Sequence, residues 1–154
     1  NSSMEIETSQ IKGIDDATRT TKCELQHGAK LVINEKIMTH NSQKAKTVFD
    51  VKLDGKNSSA KVTSRAVAID KSKQIFTSNV IGNDECFGHV ECDAIIKDNG
   101  KISATPKIVA NCTDAMLVHE ATIGKIAGEQ LVKLMTLGLS KEKAEETIIK
   151  GFLN

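Results

Sequence analysis

Short β-prone runs separated by turn clusters fill the chain from Cys23 to about Met116, and this pattern restricts the fold more than any other feature. The runs cover residues 29–33, 47–53, 60–69, 74–81, 86–96, 101–104 and 107–110. Between them lie Asp54-Gly55-Lys56-Asn57, Asp70-Lys71-Ser72-Lys73, Gly82-Asn83-Asp84 and Asp98-Asn99-Gly100. Gly, Asn and Asp accept the backbone angles that tight turns demand. Phe49, Val51 and Leu53 alternate with Asp50 and Lys52, so a period of two sets the apolar side chains on one face. Small residues interrupt the alternation elsewhere and no strict short repeat is visible. The pattern alone admits a sandwich or a β-solenoid.

The ends differ from this middle. Residues 1–20 are polar and are expected to be a lead-in strand or loop, with Ile6, Ile11 and Ile14 available for packing. The β core is expected over residues 21–117 and a helical end over 118–154. In that end, residues 129–137 carry Leu131, Leu134, Met135 and Leu137, and Gly138 suits the left-handed position that ends a helix. Ser140 is a good N-cap for a second helix, with Glu142 in its first turn. Ala144, Ile148 and Phe152 recur at i, i+4 and i+8 as one apolar stripe. Two short helices of this kind would cap an open solenoid end.

Charge and aromatic content exclude several functions. The chain has 154 residues, 21 basic and 20 acidic, for a net charge of +1. That balance gives no footprint for nucleic acid or an anionic membrane. With four Phe and no Tyr or Trp, stacking platforms for bases or sugars are not expected. No apolar run approaches the roughly 20 residues of a membrane span, and no Gly-rich phosphate loop is present. The four cysteines, Cys23, Cys86, Cys92 and Cys112, are too sparse for a disulfide scaffold and suit free thiols in a reducing cytoplasm. The chain does not begin with Met, as an excised segment would not.

Cys86, His89 and Cys92 look at first like a metal cluster. On one strand, however, the two thiols share a face roughly 20 Å apart and His89 points the other way. A single ion needs ligands at about 2.0–2.3 Å. Cys86 is therefore read as a buried, inert thiol.

The tail from His119 to Leu153 carries a more specific signal: His119-Glu120-Ala121-Thr122, a Glu129-Gln130-Leu131 helix start, a Gly138-Leu139-Ser140 break, and Gly151-Phe152 at the close. This order, with Cys92-Asp93-Ala94-Ile95-Ile96 upstream, resembles the C-terminal part of the SufB/SufD scaffold proteins of the SUF iron–sulfur cluster assembly system. SufB carries Cys-Asp-Ser-Met-Leu/Ile and His-Glu-Ala-Thr at the matching places, and SufD carries Ser-His-Gly-Ala-Thr. The resemblance covers about residues 20–154, roughly half or less of the usual family length. It implies a right-handed parallel β-helix with a small C-terminal helical cap. It also implies a non-enzymatic scaffold working with a SufC-type ABC ATPase, paired with a SufB/SufD-type partner or with itself through the β-helix. By the same resemblance Cys92, His119 and Glu120 are the assembly or interface residues. Cys92 and Glu120 would ligate a transient iron–sulfur cluster. In a solenoid, Cys112, about twenty residues from Cys92, could stack beside it one coil on, as could Glu120, but Cys112 and Cys23 match nothing in the family and are read as structural thiols. Glu129, Leu131, Leu134, Ser140, Ile148 and Phe152 would dock the ATPase. Thiolate with carboxylate or imidazole suits a cluster that must be released. Two other readings are a structural β-solenoid without metal and a hydrolase using a Cys92–His119 pair.

Overall fold

A computed structural model describes residues 2–11 and 13–154. Nine strands are followed by two helices: β1 Ser3–Gln10, β2 Asp16–Leu25, β3 Lys30–Thr39, β4 Lys44–Leu53, β5 Ser58–Ala68, β6 Lys73–Gly82, β7 Cys86–Ile96, β8 Lys101–Ala110, β9 Met116–Lys125, α1 Gly128–Thr136 and α2 Lys141–Leu153. Odd strands form one sheet in the order β1-β3-β5-β7-β9, and even strands a second in the order β2-β4-β6-β8. Every pairing is parallel. The chain therefore winds from sheet to sheet and back, about four turns of a parallel β-solenoid. Residues 3–10, expected as a lead-in, form the first strand of this coil, and residues 116–125 form its last.

Stacked residues repeat one coil apart. The amide of Asn83 donates to Asp54 at 2.5 Å, 29 residues away, and that of Asn111 donates to Asn83 at 2.7 Å, 28 residues away. At the opposite corner Gly13, Asn41, Asp70 and Asp98 all take positive φ. Residues with short polar side chains, or none, tolerate that conformation best. At Gly55 an added Cβ would collide with the His27 backbone of the coil below, so this turn requires glycine.

Strict alternation places one face of each sheet in the lumen. Leu31, Ile33, Phe49, Val51, Leu53, Val62, Phe76, Val80 and Val90 form the main core cluster, with the Phe49 and Phe76 rings 5.8 Å apart. Pro106, which cannot donate to a ladder, lies in β8 at the outer edge of its sheet.

α1 ends at Gly138 (φ +94) as expected, and the Ser140 side chain accepts from the Lys143 N–H at the start of α2. The buried stripe of α2 is Ala144, Ile149 and Leu153, not the expected Ala144, Ile148 and Phe152. Ile149 and Leu153 pack with Val67, so α2 folds back along the solenoid instead of standing over its end. Lys97 and Glu145 pair at 2.8 Å. The Lys36 ammonium donates to the Asn154 carbonyl, and Arg65 to that of Phe152. Cations at a helix C-terminus also complement its dipole. No described helix is long and apolar enough to cross a membrane.

Candidate functional site

Cys92 points into the lumen from β7. It stacks on Ser64 of β5 and beneath Ala121 of β9, and it is fully buried. Burial raises its pKa to about 11, aided by the charges of Asp93 and Glu35, so the group is a neutral thiol near pH 7. Cys112 is not its stacking neighbour, because one coil spans 28 or 29 residues rather than about twenty.

The column running back from Cys92 is polar. Ser64 pairs with Glu35, which pairs with Thr8. Glu35 is buried, and its carboxylate accepts from Arg19 (3.1 Å) and Thr47 (3.0 Å) on one oxygen and from Ser64 (3.0 Å) on the other. Burial raises the Glu35 pKa despite these partners. The sequence reading missed this network. Its signal was present: Leu31, Ile33, Glu35 and Ile37 alternate, so Glu35 shares the apolar face.

His119 also faces the lumen, stacked on Val90. It is half-buried, and its Nε2 is buried without a partner. Burial lowers its pKa, with a smaller contribution from His89. Glu120 points to the outer surface, stacked on Glu91, with a carboxylate oxygen 3.7 Å from His89 Nε2. Cys92 and His119 thus share the lumenal face, and Glu120 lies on the other side of the sheet. Cys92 and Glu120 do not converge as a ligand pair within one chain. Among the described residues no group of three His, Cys, Asp or Glu is placed to hold a metal ion. A buried thiol with a raised pKa is also the opposite of an activated nucleophile, which argues against the hydrolase reading.

The solenoid is open beyond β8 and β9. Ile108 and Ile123 occupy lumenal positions yet are exposed, as are Met116 and Val118 on the outer face of β9. Behind this end, Ile95, Leu134, Leu137, Ile148, Gly151 and Phe152 line an apolar groove of about 530 Å³ between α1 and α2. Leu134, Ile148 and Phe152 were expected to dock a partner, and all three line it. Leu131 is half-buried, and Glu129 and Ser140 are exposed. α1 has no buried residue, and Val132, Met135 and Leu137 face solvent.

Comparison with known proteins gives one family. Residues 2–152 match the sequence model for the SUF system FeS cluster assembly SufBD core domain. An iron–sulfur cluster assembly SufBD family protein of Methanothermobacter thermautotrophicus is 38% identical over 104 residues, which is 66% of this chain and 25% of that protein. Its counterpart in Methanocaldococcus jannaschii is 36% identical over 104 residues, 67% of this chain and 33% of that protein. One from Archaeoglobus fulgidus is 39% identical over 103 residues, 66% and 28% respectively. The chain thus spans a third or less of the curated relatives it matches. With the parallel solenoid and two terminal helices in place, this match over nearly every residue means that the chain belongs to the SufBD family of the SUF iron–sulfur cluster assembly system.

Proposed function

We propose that the chain is the core of a SUF scaffold on which iron and sulfide are assembled, driven by a SufC-type ABC ATPase, and that it is not itself an enzyme. The observation that carries this reading is the family match from residue 2 to 152, joined to the open end that carries His119 and Glu120. Iron and sulfide are cargo here, not a resident cofactor.

Cys92 is the thiol ligand in this reading, with His119 and Glu120 as its assembly partners. Because Cys92 is sealed beneath Ala121 while Glu120 faces outward, assembly requires β9 to move or a second chain to supply ligands. The unpaired backbone groups of β8 and β9 and the exposed Ile108 and Ile123 favour a second solenoid docking there, a SufB/SufD-type partner or a second copy. The groove between α1 and α2 would take an apolar segment of the ATPase, with Leu134, Ile148 and Phe152 as its walls; Glu129, Leu131 and Ser140, also expected to dock it, are not among its lining residues. Movement of the ATPase would then be transmitted through residues 126–127 to β9. Free thiols suit a cytoplasmic location.

The first test is a titration of the chain with a SUF-type ATPase subunit, with and without residues 128–154. Binding that needs the helices supports the docking surface. Binding that survives their removal places the surface elsewhere. Anaerobic reconstitution with iron and sulfide of wild type, Cys92→Ser, His119→Ala and Glu120→Gln then tests the ligands. Equal cluster content in wild type and Cys92→Ser would leave a structural solenoid without a metal role.

A further inference from the structure

The two sheets differ in outward charge. The outward positions of β2, β4, β6 and β8 carry seven lysines against three acids. Those of the odd strands carry four lysines and arginines against five acids. The net charge of +1 is thus the sum of unlike faces, and the even sheet is the basic one. At one end of that face Glu24 and Asp50 lie among Lys22, Lys52 and Lys107, and Lys52 pairs with Glu24 at 3.0 Å. The other end is different. Lys44, Lys73 and Lys101 open β4, β6 and β8, and the register stacks each on the next. All three are exposed, and among the described residues none of them is in an ion pair. Coils stand ~4.8 Å apart, so three like charges form a stripe ~10 Å long. Like charges stacked directly on one another are destabilising. The stripe is bounded: Asp16 adjoins Lys44 in the same column, β8 is the edge of the sheet, and Asp70 and Asp98 occupy the corner just before it. One column along, Lys46 stacks on Ile75, which is 48% exposed.

We propose that this stripe is a docking surface for an acidic amphipathic α-helix of a partner protein. Helix residues at i, i+3 and i+7 share a face and span ~10.5 Å along the axis, which matches the stripe. Three same-face residues of an extended strand span ~13 Å and fall out of step with it. A helix laid across the strands sets three carboxylates over Lys44, Lys73 and Lys101, and an apolar residue at i+4 on Ile75. Binding relieves the repulsion that the free chain carries. A long polyanion fits less well, because the acids at Asp16, Asp70 and Asp98 border the stripe and no aromatic residue faces outward from this sheet to stack on bases. The surface is separate from the groove assigned above to the ATPase, since α2 packs on Val67 of the odd sheet.

The test is a fluorescence-anisotropy titration of the full chain with two lactam-stapled helical peptides of one composition. One carries Glu at i, i+3 and i+7 and Leu at i+4, and the other has the Glu residues spread around the helix. The one-sided peptide should bind about tenfold tighter, because three exposed pairs each add a small factor. Added salt should weaken it. Lys73→Glu should weaken it by about fivefold or more and abolish the preference between peptides. Lys107→Glu, on the same face but outside the stripe, should leave the preference intact. Equal binding of the two peptides, or a preference that survives Lys73→Glu, overturns the proposal. Tighter binding of duplex DNA or of phosphatidylserine vesicles than of the one-sided peptide also overturns it and assigns the face to a polyanion or a membrane. Lys73→Gln decides the matter if the charge reversal folds poorly. It should raise the urea midpoint of the free chain at low salt while weakening the one-sided peptide, whereas a lysine needed only for folding would lower both. No readout uses iron, sulfide or an ATPase, so this proposal and the scaffold function fail separately.

Discussion

Ile33, Val62, Val90 and His119 occupy the same lumenal position in four successive coils. The first three are almost wholly buried, whereas His119 is half open and its Nε2 has no partner. The middle of the solenoid and its last coil therefore share one geometry and differ in what covers them. A middle coil has a neighbour above and below, so its lumenal residues are mostly apolar or paired, as Glu35 is, with the buried Ser58 hydroxyl an exception that has no partner. The last coil lacks one neighbour, so His119 stands there half open, yet its Nε2 is still buried without a partner and burial lowers its pKa.

The sharpest way to break this comparison is to truncate one residue in each region. Phe49→Ala removes a ring that packs on Phe76 and is 2% exposed, and it should cost about 3–5 kcal/mol. Ile108→Ala at the open end, where the side chain is 40% exposed, should cost less than about 1 kcal/mol. Urea denaturation of both variants checks the difference, and equal losses would mean that the last coil is covered in solution.

Arg19→Met tests whether the lumenal carboxylate depends on its partner. It should destabilise the chain by about 2–3 kcal/mol, less than a fully buried pair because Arg19 is 35% exposed. The same network sets a pH dependence. Glu35 has a raised pKa, so between its ordinary value of 4.5 and its folded value the native chain holds a proton that the unfolded chain has released. Stability falls as pH rises through that window and is regained on acidification. Glu35→Gln should flatten this part of the curve, and an unchanged slope would assign it to another group.

At the helical end the expected effects are smaller. Ser140→Ala removes the cap that accepts the Lys143 N–H, and should cost about 1 kcal/mol. Lys97→Ala breaks the pair that ties α2 to the solenoid, and should cost below about 1 kcal/mol. Hydrogen exchange in α2 separates the two: loss of the cap frays its first turn, and loss of Lys97 loosens the whole helix.

Much of the fold was legible in the residues. The β-prone runs, the Asn and Asp turns, Gly138 and Ser140 all fall where the structure uses them, because local backbone preference and side-chain alternation act over a few residues. The coil length was legible too, in Asp54, Asn83 and Asn111, but only as a spacing of 28 or 29 that a search for short repeats passes over. The α2 stripe was misread because Ile148 and Ile149 are adjacent and both apolar, and only packing against Val67 selects Ile149.

The candidate site divides along the same line. Sequence by itself identified the family resemblance, the helical end, and Cys92, His119 and Glu120 as the residues to examine. Only the tertiary structure decided that Cys92 and His119 face the lumen and Glu120 the solvent, and that Glu35 and Arg19 lie behind Cys92. The reason is register. A strand alternates its side chains with a period the sequence displays, but which residue lies above which depends on a coil closing about 28 residues later.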